Sequence, residues 1–476
     1  MFFDSPIYFV FLTAVVLVYW QLDRYRQNIF LLAASYFFYG WWDWRFLTLV
    51  FVSTVVDFYL AHVIARSSDE AHRFRTMMIS IVLNVGFLAY FKYANFFVDS
   101  MVDALNRLGV EAVHRPMLEL LLPPGISFYT FQAIAYIVDV HDRRVKPANS
   151  LVDYALFISL FPHLVAGPIQ RPDHLLPQVE ESRAYDADRV QHGLMLIAWG
   201  LFRKCVIADN CALVADAAFS GKLGPPSLPV LALGAYAFAW QIYGDFSGYS
   251  QIARGSALLM GFDFMINFRQ PHLATSLQDF WRRWHISLSQ WLRDYVYIRL
   301  GGGRNGELQT SRNLMATMLI GGFWHGAAWT YILWGGIHGA GLAIGRAMDR
   351  AGLSGAERQR SPTQEFIRRW LLRALVFHIV ALALVIFRSP SIGSAFSMLA
   401  GAATLDWEPG YAAAFLFLGI FAGAMLAVDL VNERDGTEYP FEKMTLRQLA
   451  PSAVAVLLAV AIATGNNSNA FIYFQF

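Results

Sequence analysis

His285 and His325 are the residues of this chain best placed to do chemistry. His325 lies in MLIGGFWHGAAWTYILWGGIHGAG (318–341), and no Arg, Lys, Asp or Glu occurs between Arg312 and Arg346. Burying an imidazole without a partner costs about 1–3 kcal/mol, so a histidine in such a run is either bonded across helices or useful. Imidazole changes charge near neutral pH and can take a proton from a hydroxyl. His285 lies in DFWRRWHISLSQWLRDYVYIRL (279–300). There Phe280, Trp281, Trp284, Leu288, Trp291, Leu292 and Tyr295 recur close to the helical period, with the arginines mostly off that stripe. The pattern predicts one amphipathic helix along a membrane face or beneath a bundle, with His285 on the flank of its apolar stripe. Alone, His285 reads as a packing residue; beside His325 it reads as a second site residue.

Weaker candidates surround these two. Gly322 and Gly326 have GxxxG spacing, which permits close helix approach, or leaves room for a substrate beside His325. Trp324 and Trp329 could line such a channel. His338, in GGIHGAG, is a neighbour of the site or a packing group. The run YAFAWQIYGDFSGYS (236–250) brings Gln241, Tyr243 and Asp245 into apolar sequence. An ionisable residue at membrane depth is a functional candidate by default, with a structural hydrogen-bond hub as the alternative. Asn267, His272 and Asn313 are similar, weaker cases. Nucleophile-elbow, P-loop and HExxH motifs are missing, and no carboxylate pair stands at ligand spacing beside the histidines, so no metal is expected. Cys205 and Cys211 match no CxxC motif and read as packing residues.

The elements that must carry these residues are membrane helices. Hydrophobic residues make up 56% of the 476 and charged residues 15%, against the roughly 25% charge of soluble domains. Mean hydropathy is +0.41. A net charge of +2 gives no nucleic-acid signature. Apolar runs predict an all-α polytopic protein of about ten to twelve spans, as each needs about 20 residues. The clearest are 6–22, 46–65, 76–98, 190–210, 228–249, 374–388 extended at its start, 411–430 and 448–464; shorter ones are 28–42, 119–139, 151–166, 251–268 and 312–345. The first run lacks a basic start and a cleavage site, so it is expected to stay as a span with the N-terminus outside the cytoplasm.

Arginine-rich loops at 66–75 and 141–146 read as cytoplasmic. So does 346–373, with seven Arg against three acids. The stretch 99–118, with Asp99, Asp103 and Glu111 against Arg107 and Arg115, reads as outside, as does 389–410. Prolines and glycines interrupt 120–132 (LLLPPGISFYTFQ includes Gln132) and 159–172 (SLFPHLVAGPIQRP). Broken backbone at membrane depth needs cover from protein or water, which predicts buried or re-entrant segments. One membrane domain, 1–476, is expected.

Together the runs DFWRRWHISLSQWLRDYVYIRLGG and GGFWHGAAWTYILWGGIHG resemble the membrane-bound O-acyltransferase family. MFFDSPIYFVFL, LLPPGISFYTFQAIAYIVDV, LFPHLVAGPIQRP, YGDFSGYSQIARG and the terminal FIYFQF are similar too, so the resemblance covers essentially the whole chain. Arg299 departs from the pattern, since relatives are expected to carry proline there. The resemblance implies a helical bundle around a tapering channel in the bacterial inner membrane. It implies His325 as the near-invariant catalytic histidine and His285 as its more variable companion. It also implies acetyl transfer from a cytoplasmic donor, acetyl-CoA, with no bound cofactor. The recipient would be hydroxyls of an exported polysaccharide such as alginate, reached directly or through a periplasmic or membrane-anchored acetyltransferase partner, alongside the export machinery. Transfer of D-alanine or a fatty acyl chain, and a transporter without covalent chemistry, are the alternatives; the paired repeats of a transporter are not evident.

Overall fold

The computed structural model describes residues 1–110, 121–165, 167–353, 360–440, 442–444, 446–463 and 471. Glu111, Arg115 and all of FIYFQF but its first residue therefore lie outside the described residues. The described chain is helical, and its contacts divide into two compact units, Met1–Gly193 with Ala253–Met265, and Leu194–Ile252 with Ile266–Phe476.

The first unit holds α1 (Pro6–Tyr19), α2 (Arg24–Asp43), α3 (Leu47–Arg66), α4 (Glu70–Leu88), α5 (Ala94–Arg107), α6 (Ile126–His141), α7 (Leu151–Ser159), α8 (Phe161–Leu164) and α9 (Pro172–Glu180). Polar caps set their starts: Asp23 accepts from the Arg26 amide, Asp69 from Ala71 and Ser150 from Asp153. α6 is buried on every side from Ile126 to Val140, which explains its lack of amphipathic character. The Pro/Gly-broken runs lie against each other. A Cβ on Gly125 would stand 2.3 Å from the Leu164 carbonyl oxygen, and one on Gly167 2.4 Å from the His163 Cα. Protein covers that irregular backbone, as membrane depth requires. Asp57 of α3 accepts from Ser80 and Asn84 of α4, at 2.5 and 2.9 Å, joining two apolar helices through a shared polar cluster.

The second unit holds α11 (Asp209–Phe219), after α10 (Ala187–Leu201) has crossed between the units, and most of α12 (Leu228–Leu259). It continues through α13 (Leu277–Arg283), α14 (Ile286–Leu292), α15 (Glu307–His325), α16 (Trp329–Arg350), α17 (Pro362–Arg388), α18 (Ile392–Ala400), α19 (Pro409–Asp435) and α20 (Leu446–Ala463). Most of the basic stretch 346–373 is thus helix, as the end of α16 and the start of α17.

Among the described residues, four helical stretches are long and apolar enough to cross a membrane: Arg24–Arg66, Glu70–Arg107, Pro362–Arg388 and Pro409–Asp435. Pro6–Tyr19, Ile392–Ala403 and Gln448–Ala463 are shorter apolar helices. Large apolar side chains such as Val82, Leu416 and Ile420 are exposed on the long helices, as lipid-facing surface would be. The structure is that of a polytopic helical membrane protein.

α15 and α16 form a tight hairpin whose glycines are contacts, not vacancies. A Cβ on Gly322 would stand 2.3 Å from the Tyr331 carbonyl oxygen, and one on Gly335 2.3 Å from that of Met318. Gly326 lies under the Tyr331 ring, at 2.1 Å from the same construction, and Gly321 against Leu292. The space beside His325 that these glycines could have left is filled by protein. A Gly335→Ala change forces the hairpin apart, and overpacking of this kind costs about 1–3 kcal/mol. The expected result is a lower thermal midpoint for the detergent-solubilised chain; an unchanged midpoint would mean that the hairpin tolerates a wider spacing.

Candidate functional site

The helix expected over 279–300 is broken at the histidine. α13 ends at Arg283, Trp284 is extended, and His285 takes φ 42°, ψ 56° before α14 begins at Ile286. A left-handed conformation is uncommon for a residue with a Cβ, and it collects at functional sites. Here the surroundings hold it. The Ile286 amide donates to the Asn267 carbonyl at 2.9 Å, and the Arg269 amide to that of Arg283 at 3.0 Å. Ser287 Oγ donates to Asn267 Oδ1 at 2.6 Å, while Asn267 Nδ2 donates to Ser250 Oγ at 3.0 Å. Asn267 therefore fixes the break that aims His285. The apolar stripe carries no sign of this, because its period runs on through the break.

His285 is fully buried, with its ring 4.6 Å from Phe246 and 5.9 Å from Trp324. His325 is the last residue of α15, also buried. Its ring packs on Trp324 at 5.0 Å, Trp334 at 5.3 Å and Phe387 at 5.4 Å. Trp324 thus contacts both histidines. Trp329 starts α16 and is 56% exposed, so it does not line the interior with Trp324. An imidazole can take a proton from a substrate hydroxyl at either site.

The polar residues of α12 have a different task. Asp245 meets Lys204 Nζ at 2.9 Å, and the same Nζ meets Asp209 at 2.7 Å. Tyr243 donates to Asp429 at 3.3 Å, and Arg203 Nη2 reaches the same carboxylate at 3.4 Å. Arg203 and Lys204 stand in a π-helical turn, Phe202–Ala208. It approaches α12 closely because Gly200 and Gly248 face each other, a Cβ on either falling within 2.7 Å of the other's carbonyl oxygen. Asp245 and Tyr243 therefore hold a buried ionic network. Gln241 is buried one turn earlier on α12, and its Oε1 has no hydrogen-bond partner among the described residues. Asn313 donates to the Gly302 carbonyl at 2.9 Å, and His272 Nε2 faces that of Ala239 at 3.3 Å. Both act as structural ties.

Sequence reasoning missed Arg203, Lys204, Asp209 and Asp429. Charges within apolar runs were the available signal, but partners as distant in sequence as Arg203 and Asp429 leave no local pattern. It also missed Phe471, which stacks on Tyr249 at 4.1 Å and lies 5.9 Å from Phe246, the ring beneath His285. Among the described residues no group of three His, Cys, Asp or Glu could hold a metal ion.

Comparison with known proteins gives this arrangement its context. The family model of the membrane-bound O-acyltransferases matches residues 7–387. The chain is 39% identical over 459 residues to the probable alginate O-acetylase AlgI of Pseudomonas aeruginosa, covering 96% of this chain and 85% of the relative. It is 36% identical over 436 residues to the peptidoglycan O-acetyltransferase of Helicobacter pylori, covering 85% and 80%. A more distant relative, the teichoic acid D-alanyltransferase of Bacillus subtilis, is 28% identical over 288 residues, covering 54% and 70%. Acyl transfer is the chemistry these names share. Both buried histidines fall inside the matched region, and the chain belongs to the membrane-bound O-acyltransferase family.

Proposed function

We propose that this protein is a membrane O-acetyltransferase that moves acetyl from a cytoplasmic donor, acetyl-CoA, toward hydroxyls of an exported polysaccharide such as alginate. The observation that carries this reading is the burial of His285 and His325 against the same Trp324 ring, in a chain most of whose length aligns with a probable alginate O-acetylase. His325 acts as general base. It takes the proton of the accepting hydroxyl as the oxygen attacks the thioester carbonyl; the C–O bond forms, the C–S bond breaks, and the proton passes to the departing thiolate. His285 orients the donor or the developing negative charge. No cofactor is bound; acetyl-CoA is a substrate.

The rest of the reading follows from the sequence and the family. The protein works as one domain, 1–476, with about ten to twelve spans around a channel in the bacterial inner membrane and its N-terminus in the periplasm. A periplasmic or membrane-anchored acetyltransferase partner, alongside the export machinery, hands the acetyl on to the polymer. The D-alanyl alternative is less favoured because that relative aligns with only 54% of the chain.

Membranes containing the protein, given acetyl-CoA labelled in the acetyl group, should pass label to polysaccharide or partner. Label staying in thioester and free acetate would refute acetyl-CoA as donor. In the same assay Asn267→Ala should lower transfer by roughly ten- to hundredfold, because misplacing a catalytic group by an ångström carries a penalty of that order. A wild-type rate would show that His285 is aimed without Asn267.

A further inference from the structure

His338, Trp281 and Trp334 form a second constellation beside His325. His338 is buried on α16, its ring 4.7 Å from Trp334, 5.3 Å from Trp281 and 6.2 Å from Phe280. Trp281 and Trp334 are 5.8 Å apart, and Trp334 in turn packs on His325 at 5.3 Å. Both ring nitrogens of His338, and Nε1 of Trp281 and of Trp334, are buried with no hydrogen-bond partner among the described residues. Orphaned polar atoms are rare in folded proteins, and four in one cluster call for an explanation.

We propose that this cluster binds an amide of the acyl donor's chain and so sets the donor's depth relative to His325. The inference rests on the thioester-donor reading above. Two indole N–H groups and one imidazole N–H can donate, and the second imidazole nitrogen can accept. That set matches a secondary amide, whose C=O accepts and whose N–H donates. None of these groups carries a permanent charge, which suits an amide better than a phosphate. Charged groups stand on the other face of α13. There Asp279 and Arg283 line a cavity of about 270 Å³ with Arg368, Arg373, Glu365 and Glu433. One short helix thus turns its ionic residues to that cavity and Phe280 and Trp281 to His338. The rings touch one another, so a ligand passes along their edges, where a linear chain fits better than a sugar ring. The amide-bearing pantetheine arm, whether carried by coenzyme A or by a carrier protein, has this chemistry.

The test uses the full chain in detergent or membranes, with acetyl-CoA, acetyl-pantetheine and the amide-free acetyl thioester of propanethiol as probes. For His338→Phe and for Trp281→Phe, which keeps a ring and removes the N–H, KM for acetyl-CoA should rise roughly five- to tenfold, the loss expected from one hydrogen bond. The fall in kcat should be smaller. Acetyl-pantetheine should lose the same factor and the amide-free thioester none, and His338→Gln should recover part of the KM. If only acetyl-CoA is affected, the cluster reads something other than the arm and the proposal fails. An unchanged KM, or equal losses with all three thioesters, would leave the cluster a packing or water-binding feature and also overturn it. Should His338→Phe not fold, Trp281→Phe carries the measurement. A wild-type chain with no His325-dependent transfer from any thioester would overturn the acyltransferase reading and this one with it; normal transfer with an insensitive cluster would overturn this one alone.

Discussion

Replacing His325 with alanine is expected to reduce acyl transfer by roughly 10²–10⁴-fold, the range that a general base contributes. The reasoning is geometric. His325 closes α15, is buried, and is held by Trp324, Trp334 and Phe387. Among the described residues no other histidine packs on those three rings, although His285 also contacts Trp324. A His325→Gln chain keeps hydrogen bonding at the same place but offers no base, so it should be almost as inactive as His325→Ala. Initial rates at matched protein, with thermal midpoints for each variant, separate chemistry from folding. A His325→Gln enzyme with near wild-type rate would assign the residue to hydrogen bonding instead of proton transfer. A large drop in midpoint with activity falling in parallel would assign it to packing.

The second large effect belongs to the ionic network. Lys204 is buried and meets both Asp209 and Asp245. Lys204→Met leaves two carboxylates in a low-dielectric interior without that cation, and breaking a buried pair costs about 3–5 kcal/mol. The variant should accumulate poorly and lose its monodisperse elution profile. Adding Asp245→Asn removes one of the two stranded charges and should restore part of the loss. That recovery is the coupling which a double-mutant cycle reads. A wild-type midpoint for Lys204→Met would mean that water reaches these carboxylates. Full stability combined with lost transfer would instead move Lys204 from the scaffold into the reaction.

Much of this molecule was legible before its structure. The runs 46–65, 76–98, 374–388 and 411–430 became α3, α4–α5, α17 and α19; 76–98 and 411–430 grew at both ends and 374–388 at its start, as expected for that run, because polar and charged residues extend a helix past its apolar centre, while 46–65 moved by one residue. The first run is shorter than expected: α1 stops at Tyr19, whose hydroxyl donates to the Met260 carbonyl at 2.8 Å. The burial of His325 was legible because its ring sits in apolar sequence; His285, in an arginine-bearing run, read as a site residue only beside His325, and the structure buries it too, against Trp324. The break at Trp284–His285 was not, since it depends on backbone partners at Asn267 and Arg269 that the stripe does not encode. The glycines around His325 admitted two readings, and only the opposing Tyr331 and Met318 carbonyls decide for helix contact. Trp329 shared the local pattern of Trp324 yet faces outward, because the turn at 326–328 lies between them.

The most direct test of the account is the O-acetyl content of the envelope polysaccharide in a strain lacking this protein, complemented with the wild-type chain or with His325→Ala at equal membrane abundance. The account predicts loss of O-acetyl groups in the deletion, recovery with wild type and no recovery with His325→Ala. Full acetylation with His325→Ala would contradict the assignment of the base, and unchanged acetylation in the deletion strain would contradict acetyl transfer itself.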